Sequence, residues 1–594
     1  MSAFSENTSP VHSSRSSRHT NKPKQRNGWR LSTVRILLGL LVLWLIAVMV
    51  YQTNKPLPAG VSYESPVYSV DHVNFYYDLT YPAAGSGDRF TQKRHIYDRV
   101  LKMIDEANQY VVIDMFLFNN YVHNGQKYPS LSEGLANKLI QRKQEKPDMQ
   151  MVFITDEVNT DYNSTPNPLL EKLKQAGISV VMTDVDPLRD STPVYSAVWR
   201  TFFQWFGQAG KGTIPNAMAT SGPDMTFRSY LKLMNVKANH RKAIITDNSA
   251  MVSTGNIHDA SAYNSNVAFE VQGPIIGELL KAEQAVVNLS GSTITLPTYD
   301  DNTATADNQG TGDTVDPASA SSVSASSTAT AQTESTSSNT TNTVHTASSS
   351  SSNAASGSTN GSSTGQNGST LDPSTGGSGD TSDGGSVTST DSTGSGPIQL
   401  RYMTEGKVYD RLLEAIRSTE KGDTLWMGMF YLADKQVTSE LLSASQRGVN
   451  IQLILDPNQN AFGQDKIGIP NRPVAAELND ESGGKIGIRW YNTTDEQYHT
   501  KLMYIDSANS DDLIIGGSSN FTPRNLKDYN LENDFWISAP GDEPLMREVN
   551  SYFNMLWNND GEQYTVPLSD YQEDTTWLKD IAYRLQLILG FTTF

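Results

Sequence analysis

Two octapeptides decide the fold of this chain: HRKAIITD at residues 240–247 and HTKLMYID at residues 499–506. In each, one residue separates a histidine from a lysine, and four mainly apolar residues separate the lysine from an aspartate. Successive side chains of a strand point to opposite faces, so the histidine and the lysine of each octapeptide share a face. Each octapeptide therefore predicts a strand that presents an imidazole and an ammonium group together.

A hydroxyl and an amide side chain follow each octapeptide. The first is followed by Ser253-Thr254-Gly255-Asn256 and the second by Gly517-Ser518-Ser519-Asn520. Thr254 and Asn256 thus correspond to Ser518 and Asn520. The second interval is longer, and its sequence SANSDD (507–512) predicts a longer hairpin turn.

The sequence around each octapeptide is also repeated. IYDRVL (96–101) precedes VVIDMFL (111–117), and VYDRLL (408–413) precedes TLWMGMFY (424–431). Each pair predicts an amphipathic helix followed by a buried strand, and a further strand follows at MQMVFITD (149–156) and NIQLILD (450–456). Helices that alternate with short apolar strands predict an α/β fold, and two copies predict a duplication into two pseudo-symmetric halves.

Composition divides the chain into six segments. Residues 299–397 are rich in Ser, Thr, Gly and Asp and lack Lys and Arg, which predicts a disordered linker. The six predicted segments are a disordered basic tail (1–30), a transmembrane anchor (31–51), a first half (70–298), the linker (299–397), a second half (398–575) and a C-terminal amphipathic helix (576–594).

The predicted anchor also sets a topology. Residues 36–51 carry no charge, and with 31–34 they form about 20 apolar residues, enough to span a bilayer. Residues 1–35 carry seven Lys or Arg against one Glu, which predicts a cytoplasmic N-terminus and both halves on the extracytoplasmic side. A cleaved signal peptide is the alternative, which the long region before the apolar run disfavours.

Charge and cysteine content narrow the function classes. The net charge is −18, and the basic residues at the N-terminus make the remainder still more acidic, so no nucleic-acid partner is expected. The chain has no cysteine, which excludes disulfides, thiol nucleophiles and Cys-ligated metal centres.

The repeated pattern resembles the HKD motif of the phospholipase D superfamily, His-x-Lys-x4-Asp followed by Gly-Ser-x-Asn. The resemblance covers both halves and implies two pseudo-symmetric α/β/α sandwiches that share one site. It implies a covalent phosphohistidine intermediate, with His240 as nucleophile and His499 as general acid, and it implies no metal or other cofactor. The residues that would hold the phosphoryl oxygens are Lys242, Lys501, Thr254, Asn256, Ser518 and Asn520, with Asp247 and Asp506 as supporting residues.

The family also has a downstream carboxylate that orients a catalytic histidine. In the second half Glu532, within DYNLEND, is the match. In the first half Asn266 aligns with Glu532, whereas Glu270 is the nearest carboxylate, and the two alternatives stay open at this stage.

These residue types suit phosphodiester chemistry. The reaction needs a nucleophile, a proton donor for the leaving alcohol and positive groups around the phosphoryl oxygens. Two imidazoles with ordinary pKa values near 6.5 can divide the first two tasks, and lysine, hydroxyl and amide groups can perform the third.

One segment has no counterpart in the second half. The interval between Asp156 and His240 is about twice that between Asp456 and His499. It contains aromatic residues at helical spacing, which predicts an amphipathic helix that either packs in the core or contacts lipid near the site entrance. The predicted apolar face comprises Tyr195, Trp199, Phe202, Phe203 and Phe206, with Ser196, Arg200 and Gln204 opposite.

The leading hypothesis is a membrane-anchored phospholipase D-type phosphodiesterase or phosphatidyltransferase. Its partners would be a glycerophospholipid substrate and the bilayer through residues 31–51, and cardiolipin-synthase-type transfer is a specific version. One alternative is a nuclease of the same superfamily, and another is a non-catalytic surface protein with a degenerate site.

Overall fold

The fold was analysed in a computed structural model, which describes residues 27–83, 89–123, 125–216, 218–300, 323–324, 395–461, 464–571 and 581. The predicted linker, apart from its two ends and residues 323–324, lies outside the described residues. The same holds for the predicted tail up to residue 26 and for the C-terminal helix apart from Ile581.

The first helix, α1 (Asn27–Asn54), begins inside the predicted tail and continues past the predicted end of the anchor. Its segment Ser32–Asn54 is apolar and, at about 35 Å, long enough to cross a bilayer. A single apolar helix near the N-terminus is compatible with a single-pass anchor.

The first half alternates strands and helices as the repeated pattern predicts. In α2, for example, Ile96, Val100, Met103 and Ile104 recur at helical spacing and are buried. The elements are β1 (Tyr68–Val70), β2 (Asn74–Pro82), β3 (Phe90–Lys93), α2 (Ile96–Glu106), β4 (Tyr110–Met115), α3 (Leu131–Glu145), β5 (Gln150–Asp156), α4 (Pro168–Gln175), β6 (Ser179–Thr183), α5 (Pro193–Phe202), α6 (Phe227–Leu233), β7 (Lys242–Thr246), β8 (Ala250–Ser253), β9 (Asn266–Val271), α7 (Ile275–Leu289) and the two-residue β10 (Val323–Ser324).

The second half follows the same order with shorter connections. Its elements are β11 (Ile398–Thr404), α8 (Gly406–Ser418), β12 (Thr424–Met429), α9 (Lys435–Arg447), β13 (Asn450–Leu455), β14 (Asn460–Ala461), β15 (Gln464–Asp465), α10 (Asn471–Ser482), β16 (Gly487–Tyr491), β17 (Lys501–Asp506), β18 (Asp512–Gly517), α11 (Pro523–Leu526), β19 (Asn533–Ala539), α12 (Pro544–Asn558) and β20 (Thr565–Pro567).

Two mixed sheets have corresponding strand orders. The first runs β10-β3-β2-β9-β8-β7-β4-β5-β6 and the second β1-β11-β19-β18-β17-β12-β13-β16-β20. In each, three neighbouring strands are parallel (β4, β5, β6 and β12, β13, β16), and the strand that carries the His-Lys pair is antiparallel to the first of them. The predicted α/β duplication is thereby confirmed.

The two halves share a core. Helix α7 of the first half packs on β11 of the second sheet, and helix α12 of the second half packs on β2 of the first. A single buried cluster contains residues of both helices and both sheets. Strand β1 precedes the first half in the chain, yet it pairs with β11, so this N-terminal segment adds a strand to the second sheet.

Candidate active site

His240 and His499 line the same cavity, at the ends of the parallel strands where the two halves meet. The cavity has a volume of about 230 Å³ and receives side chains from both halves. Its lining includes Phe116, Asn256 and Asn264 from the first half and Phe430, Asn520 and Arg524 from the second.

Backbone contacts across the interface fix both histidines. The His240 amide donates to the Leu531 carbonyl at 2.9 Å, and the His499 amide donates to the Ser265 carbonyl at 2.8 Å. Leu531 immediately precedes Glu532, and Ser265 immediately precedes Asn266. Each histidine is therefore held by the segment of the other half that carries its side-chain partner.

A buried aspartate holds the residue before each histidine. Asp156, at the end of β5, accepts from the Asn239 amide at 2.7 Å, and Asp456, after β13, accepts from the Tyr498 amide at 2.7 Å. Burial raises the pKa of both carboxyls to about 7. The residue before each histidine is therefore held in the same way in both halves.

The side-chain partners of the two histidines differ in charge. Nδ1 of His240 lies 2.9 Å from Oε2 of Glu532, whereas Nδ1 of His499 lies 3.1 Å from Oδ1 of Asn266. Glu270, the other first-half alternative, accepts from Arg99 at 2.7 and 2.8 Å and is not at the site. The structure thus places Asn266 there, with a neutral amide where the other half has a carboxylate.

Hydrogen bonds assign the proton on each Nδ1. Burial opposes ionisation of Glu532, but His240, Lys242 and Ser518 lower its pKa overall, so it is a carboxylate that accepts. Nδ2 of Asn266 donates to the Asn264 carbonyl at 3.0 Å, which leaves Oδ1 to accept from His499. Each ring therefore carries its proton on Nδ1 and leaves Nε2 for chemistry.

Burial favours the neutral form of both imidazoles. It lowers the pKa of His240 to about 4, an effect that the lysines reinforce and Glu532 opposes. It lowers the pKa of His499 well below the ordinary value, and Lys501, Lys242 and His240 lower it further. A bound phosphodiester anion would raise both values, because it stabilises the protonated rings.

Lys242 and Lys501 occupy equivalent positions as the first residues of β7 and β17. Each ammonium donates to the carbonyl of its own histidine, at 2.6 and 2.7 Å respectively. Burial lowers the pKa of Lys242 to about 7 and that of Lys501 well below the ordinary value. Two buried ammonium groups beside the two histidines favour the binding of an anion in the cavity.

The hydroxyl and amide residues separate into two sets. Ser518 Oγ donates to Glu532 at 2.5 Å, and Thr254 Oγ1 donates to Asn266 at 3.2 Å. In the structure these hydroxyls hold the two histidine partners, and their direct contact with substrate stays a prediction. Asn256 and Asn520 line the cavity, as a phosphoryl-binding role requires.

Asp247 and Asp506 lie away from the cavity, at the far ends of the octapeptides. Asp247 accepts from the Asn108 and Gln109 amides at 2.9 and 3.1 Å, and Asp506 accepts from Asn550 at 3.0 Å. Both contacts connect the motif strand to a neighbouring element.

Sequence reasoning missed an apolar wall on one side of the cavity. Phe116, Leu117, Val158, Met218 and Leu233 line it, and several of them belong to a separate buried cluster. His258 also lines the cavity and is buried, with Nδ1 3.0 Å from Ser261 Oγ. Phe116 and Leu117 directly follow β4 and Leu233 ends α6, so local periodicity indicates burial but not that these separate segments meet at the cavity.

In the first-half insertion, residues 184–238, the predicted apolar face is divided: Trp199 is buried, whereas Phe202, Phe203 and Phe206 are exposed. Core packing therefore does not hold for the three phenylalanines, and contact with lipid stays a prediction. Helix α5 ends at Phe202, and its polar residues Ser196 and Arg200 are buried while Phe202 is exposed. Ser196 Oγ donates to Asn235 at 2.8 Å, and Arg200 pairs with Asp190 at 2.7 Å. These polar contacts decide which face of α5 is turned inward.

Fold and site together define a class: a duplicated α/β protein in which each half contributes a histidine and a lysine to one interface cavity. Residues 412–557 match the family model described as "Cardiolipin synthase, PLD-like domain". This match covers most of the second half and supports assignment to the phospholipase D superfamily. No curated protein matches the sequence.

Three solved structures with similar folds were compared. Phosphatidylserine synthase of Haemophilus influenzae Rd KW20 has 9% identity and a TM-score of 0.48, over 88% of this chain and 96% of that one. Polyphosphate kinase of Porphyromonas gingivalis has 10% identity and a TM-score of 0.37, over 87% and 54%. Nuc, a phospholipase D family member of Salmonella typhimurium, has 23% identity and a TM-score of 0.21, over 27% and 93%. All three TM-scores lie below 0.5, so nothing about activity follows from these likenesses.

Proposed function

We propose that this protein is a membrane-anchored phospholipase D-type enzyme that cleaves or transfers the phosphodiester of glycerophospholipids. The observation that carries the proposal is the shared cavity in which His240 faces a carboxylate and His499 faces an amide. The unequal partners assign the two histidines unequal roles.

In the first step, Nε2 of His240 attacks phosphorus and the bond from phosphorus to the leaving alcohol breaks. The ring becomes cationic, and the Glu532 carboxylate, which accepts from its Nδ1–H, stabilises that charge. The leaving oxygen takes its proton from Nε2 of His499, which has taken up a proton from solvent because the bound phosphodiester anion raises its pKa.

In the second step, water or an acceptor alcohol attacks phosphorus and gives its proton to Nε2 of His499. The bond from phosphorus to nitrogen breaks and His240 is restored. The neutral Asn266 suits His499 to this exchange, because a carboxylate there would hold the imidazolium more strongly. Water yields phosphatidic acid, and an alcohol yields a new phosphatidyl ester.

Positive and amide groups would stabilise the phosphoryl oxygens. Lys242 and Lys501 are buried beside the two histidines, and an arriving anion would hold both in the charged form. Asn256 and Asn520 line the same cavity and can donate from their side-chain amides.

A lipid substrate is supported by the apolar wall of the cavity and by the apolar helix α1. An acyl or glyceryl segment beside the phosphate can pack on Phe116, Leu117 and Met218. The acidic net charge disfavours a nucleic-acid polyanion. We place the N-terminus in the cytoplasm and the cavity on the extracytoplasmic side, from the basic flank of α1.

The test uses the full chain in vesicles of phosphatidylethanolamine and phosphatidylglycerol with a primary alcohol, and resolves the lipid products by mass. His240→Ala and His499→Ala should each lower product formation by about 10³-fold or more. His72→Ala, an exposed histidine outside the site, is the matched control and should retain activity.

A second measurement assigns the roles. With a p-nitrophenyl phosphodiester, whose leaving group needs no proton, His499→Ala should still release p-nitrophenolate and should accumulate on His240 a phosphoryl group that keeps the remaining ester. Phosphate on His499 instead would reverse the assignment. Cleavage of DNA with no lipid product from the folded protein would favour the nuclease.

A further inference from the structure

We propose that the insertion, residues 184–238, enters the outer leaflet beside α1 and presents the cavity to membrane phospholipid. This inference rests on the proposed anchoring of α1 and deepens the proposed function by naming the surface through which substrate arrives. The surface is an aromatic one, formed by Val194, Phe202, Phe203, Trp205, Phe206 and Phe227.

The aromatic surface is the main exposed apolar region outside α1 in the part of the chain that the structure describes. Outside α1, most of the large apolar side chains that the described residues expose belong to this insertion. Trp205 is 75% exposed and Phe227 61%. Exposed apolar side chains concentrated in one segment of a folded protein mark an interaction site.

Its position is set by contacts with α1. The Asp190 amide donates to the Gln52 carbonyl at 3.1 Å, and Arg189 Nε donates to the Lys55 carbonyl at 3.0 Å. Lys55 Nζ donates to the Asp186 carbonyl at 3.3 Å. The polar start of the insertion is therefore fastened to the C-terminal end of α1, where the apolar helix leaves the membrane.

From that point α5 packs along α1. The half-buried residues of α1 in this region lie on one face and reach back toward its middle, namely Leu41, Leu45, Val48, Met49 and Gln52. This face is about 16 Å long, and the ten residues of α5 span about 15 Å. The end of α5 and Phe203–Phe206 thus lie beside apolar turns of α1, at the depth of the leaflet.

The one charged side chain of α5, Arg200, is paired in a way that suits a helix in the leaflet. The Arg200 guanidinium donates to both oxygens of Asp190 at 2.7 Å and to the Asp186 carbonyl at 2.8 Å, so it is directed toward the membrane surface. Ser196 and Trp199 face the interior of the protein. A helix that buries Ser196 and Arg200 while it exposes Val194 and Phe202 is suited to lipid rather than to water.

The same insertion reaches the cavity. Met218, Leu233 and Val236 line the apolar wall, and the Tyr195 hydroxyl on α5 donates to the Leu231 carbonyl on α6 at 2.6 Å. The lipid-facing helix and the wall are therefore parts of one packed unit. An acyl chain can pass from the leaflet along apolar surface to the two histidines.

The bilayer is the partner that covers the aromatic surface, because this surface continues the apolar surface of α1. The chain has no cysteine, so single cysteines carry an environment-sensitive fluorophore without background. The labelled variants of the full chain are Phe206→Cys in the aromatic surface, Val42→Cys in α1 and Asp148→Cys at the start of β5, the end of the sheet opposite the insertion. Each is placed in phosphatidylcholine–phosphatidylglycerol vesicles that contain spin-labelled lipid.

We expect spin-labelled lipid to quench the label at 206 to at least half the extent seen at 42, with no quenching at 148. A label at 206 that iodide quenches and lipid does not would overturn the inference. A label there that neither agent reaches would identify a second copy as the occupant and would also overturn it. Absence of lipid quenching at 42 would overturn the anchor itself, and this inference with it.

Activity supplies an independent readout. The Trp205→Ser/Phe206→Ser variant should lose about tenfold or more activity on vesicle phospholipid and less than twofold on soluble bis(p-nitrophenyl) phosphate. Equal losses on both substrates would indicate a structural role and contradict the inference. If the wild type is inactive on both substrates while the label at 206 is quenched by lipid, the aromatic surface stands and the proposed activity fails.

Discussion

At the scale of single residues, the site is a duplicated arrangement in which one charge has been removed. Asp156 and Asp456 hold the two histidine segments in the same way, and Lys242 and Lys501 make the same carbonyl contact. Only the partner of Nδ1 changes from carboxylate to amide. The pH dependence of the reaction is therefore where the two halves should differ.

Glu532→Gln should lower kcat/KM by about 10²–10⁴-fold, because the cationic phosphohistidine loses its counter-charge. His240 must be neutral to attack, so activity falls as pH drops through its pKa of about 4. Glu532 raises that pKa, and its removal should move the acid limb to lower pH. The pH profile of kcat/KM measures both effects.

Glu270→Gln is the matched control for this change. It removes a downstream carboxylate of the first half that pairs with Arg99 rather than with a histidine. The acid limb of this variant should stay in place. An acid limb that is equally unmoved in Glu532→Gln would contradict the assignment of His240 as nucleophile.

Asn266→Asp should move the alkaline limb of kcat to higher pH. A carboxylate opposite Nδ1 favours the imidazolium of His499, whose pKa is otherwise held low by burial and by the two lysines. A general acid must be protonated, so the variant should remain active over a wider alkaline range. Asn248→Asp, in the β7–β8 turn, is the control, and an unchanged limb in Asn266→Asp would argue against His499 as the acid.

At the scale of elements, a buried cluster of charges connects separate parts of the insertion. Asp190 pairs with Arg200 at 2.7 Å and with Lys237 at 3.0 Å, and all three side chains are buried. Lys237 also donates to the Leu188 carbonyl at 2.9 Å. One carboxylate thus connects the start of the insertion, helix α5 and the segment that leads to His240.

Asp190→Asn should destabilise the insertion by about 3–5 kcal/mol, because two buried cations lose their shared counter-charge. Hydrogen exchange within residues 184–238 should accelerate accordingly. Glu133→Gln removes the partner of Lys172 in a half-exposed pair and should cost less than about 1 kcal/mol. Unchanged exchange in Asp190→Asn would show that other contacts hold the insertion.

At the scale of the whole molecule, neither half is complete without the other. Glu532 of the second half accepts a hydrogen bond from His240 of the first, and Asn266 of the first half accepts one from His499 of the second. The halves share an apolar core, and β1 adds to the second sheet. A buried ion pair between Arg241 and Glu405, at 2.7 Å, joins the halves next to the site.

Cutting the chain within residues 301–394 should therefore leave the halves associated and active. A protease site inserted there, followed by cleavage, allows gel filtration and lipid turnover to be compared before and after the cut. Co-elution with at least half of the original activity is expected, because the interface is held by an apolar core and by strand pairing. Separation of the fragments would mean that the covalent connection maintains the site.

The sequence by itself determined the repeated strands and helices, the spanning length of α1 and the residues His240, Lys242, His499 and Lys501. These depend on local periodicity and spacing, which report the burial of one element at a time. Only the tertiary structure decided that Asn266 rather than Glu270 meets His499, that β1 joins the second sheet, and that α5 buries Arg200 and exposes Phe202. These outcomes depend on contacts between segments far apart in the chain, where a buried charge must be paired and the geometry of the interface selects the partner.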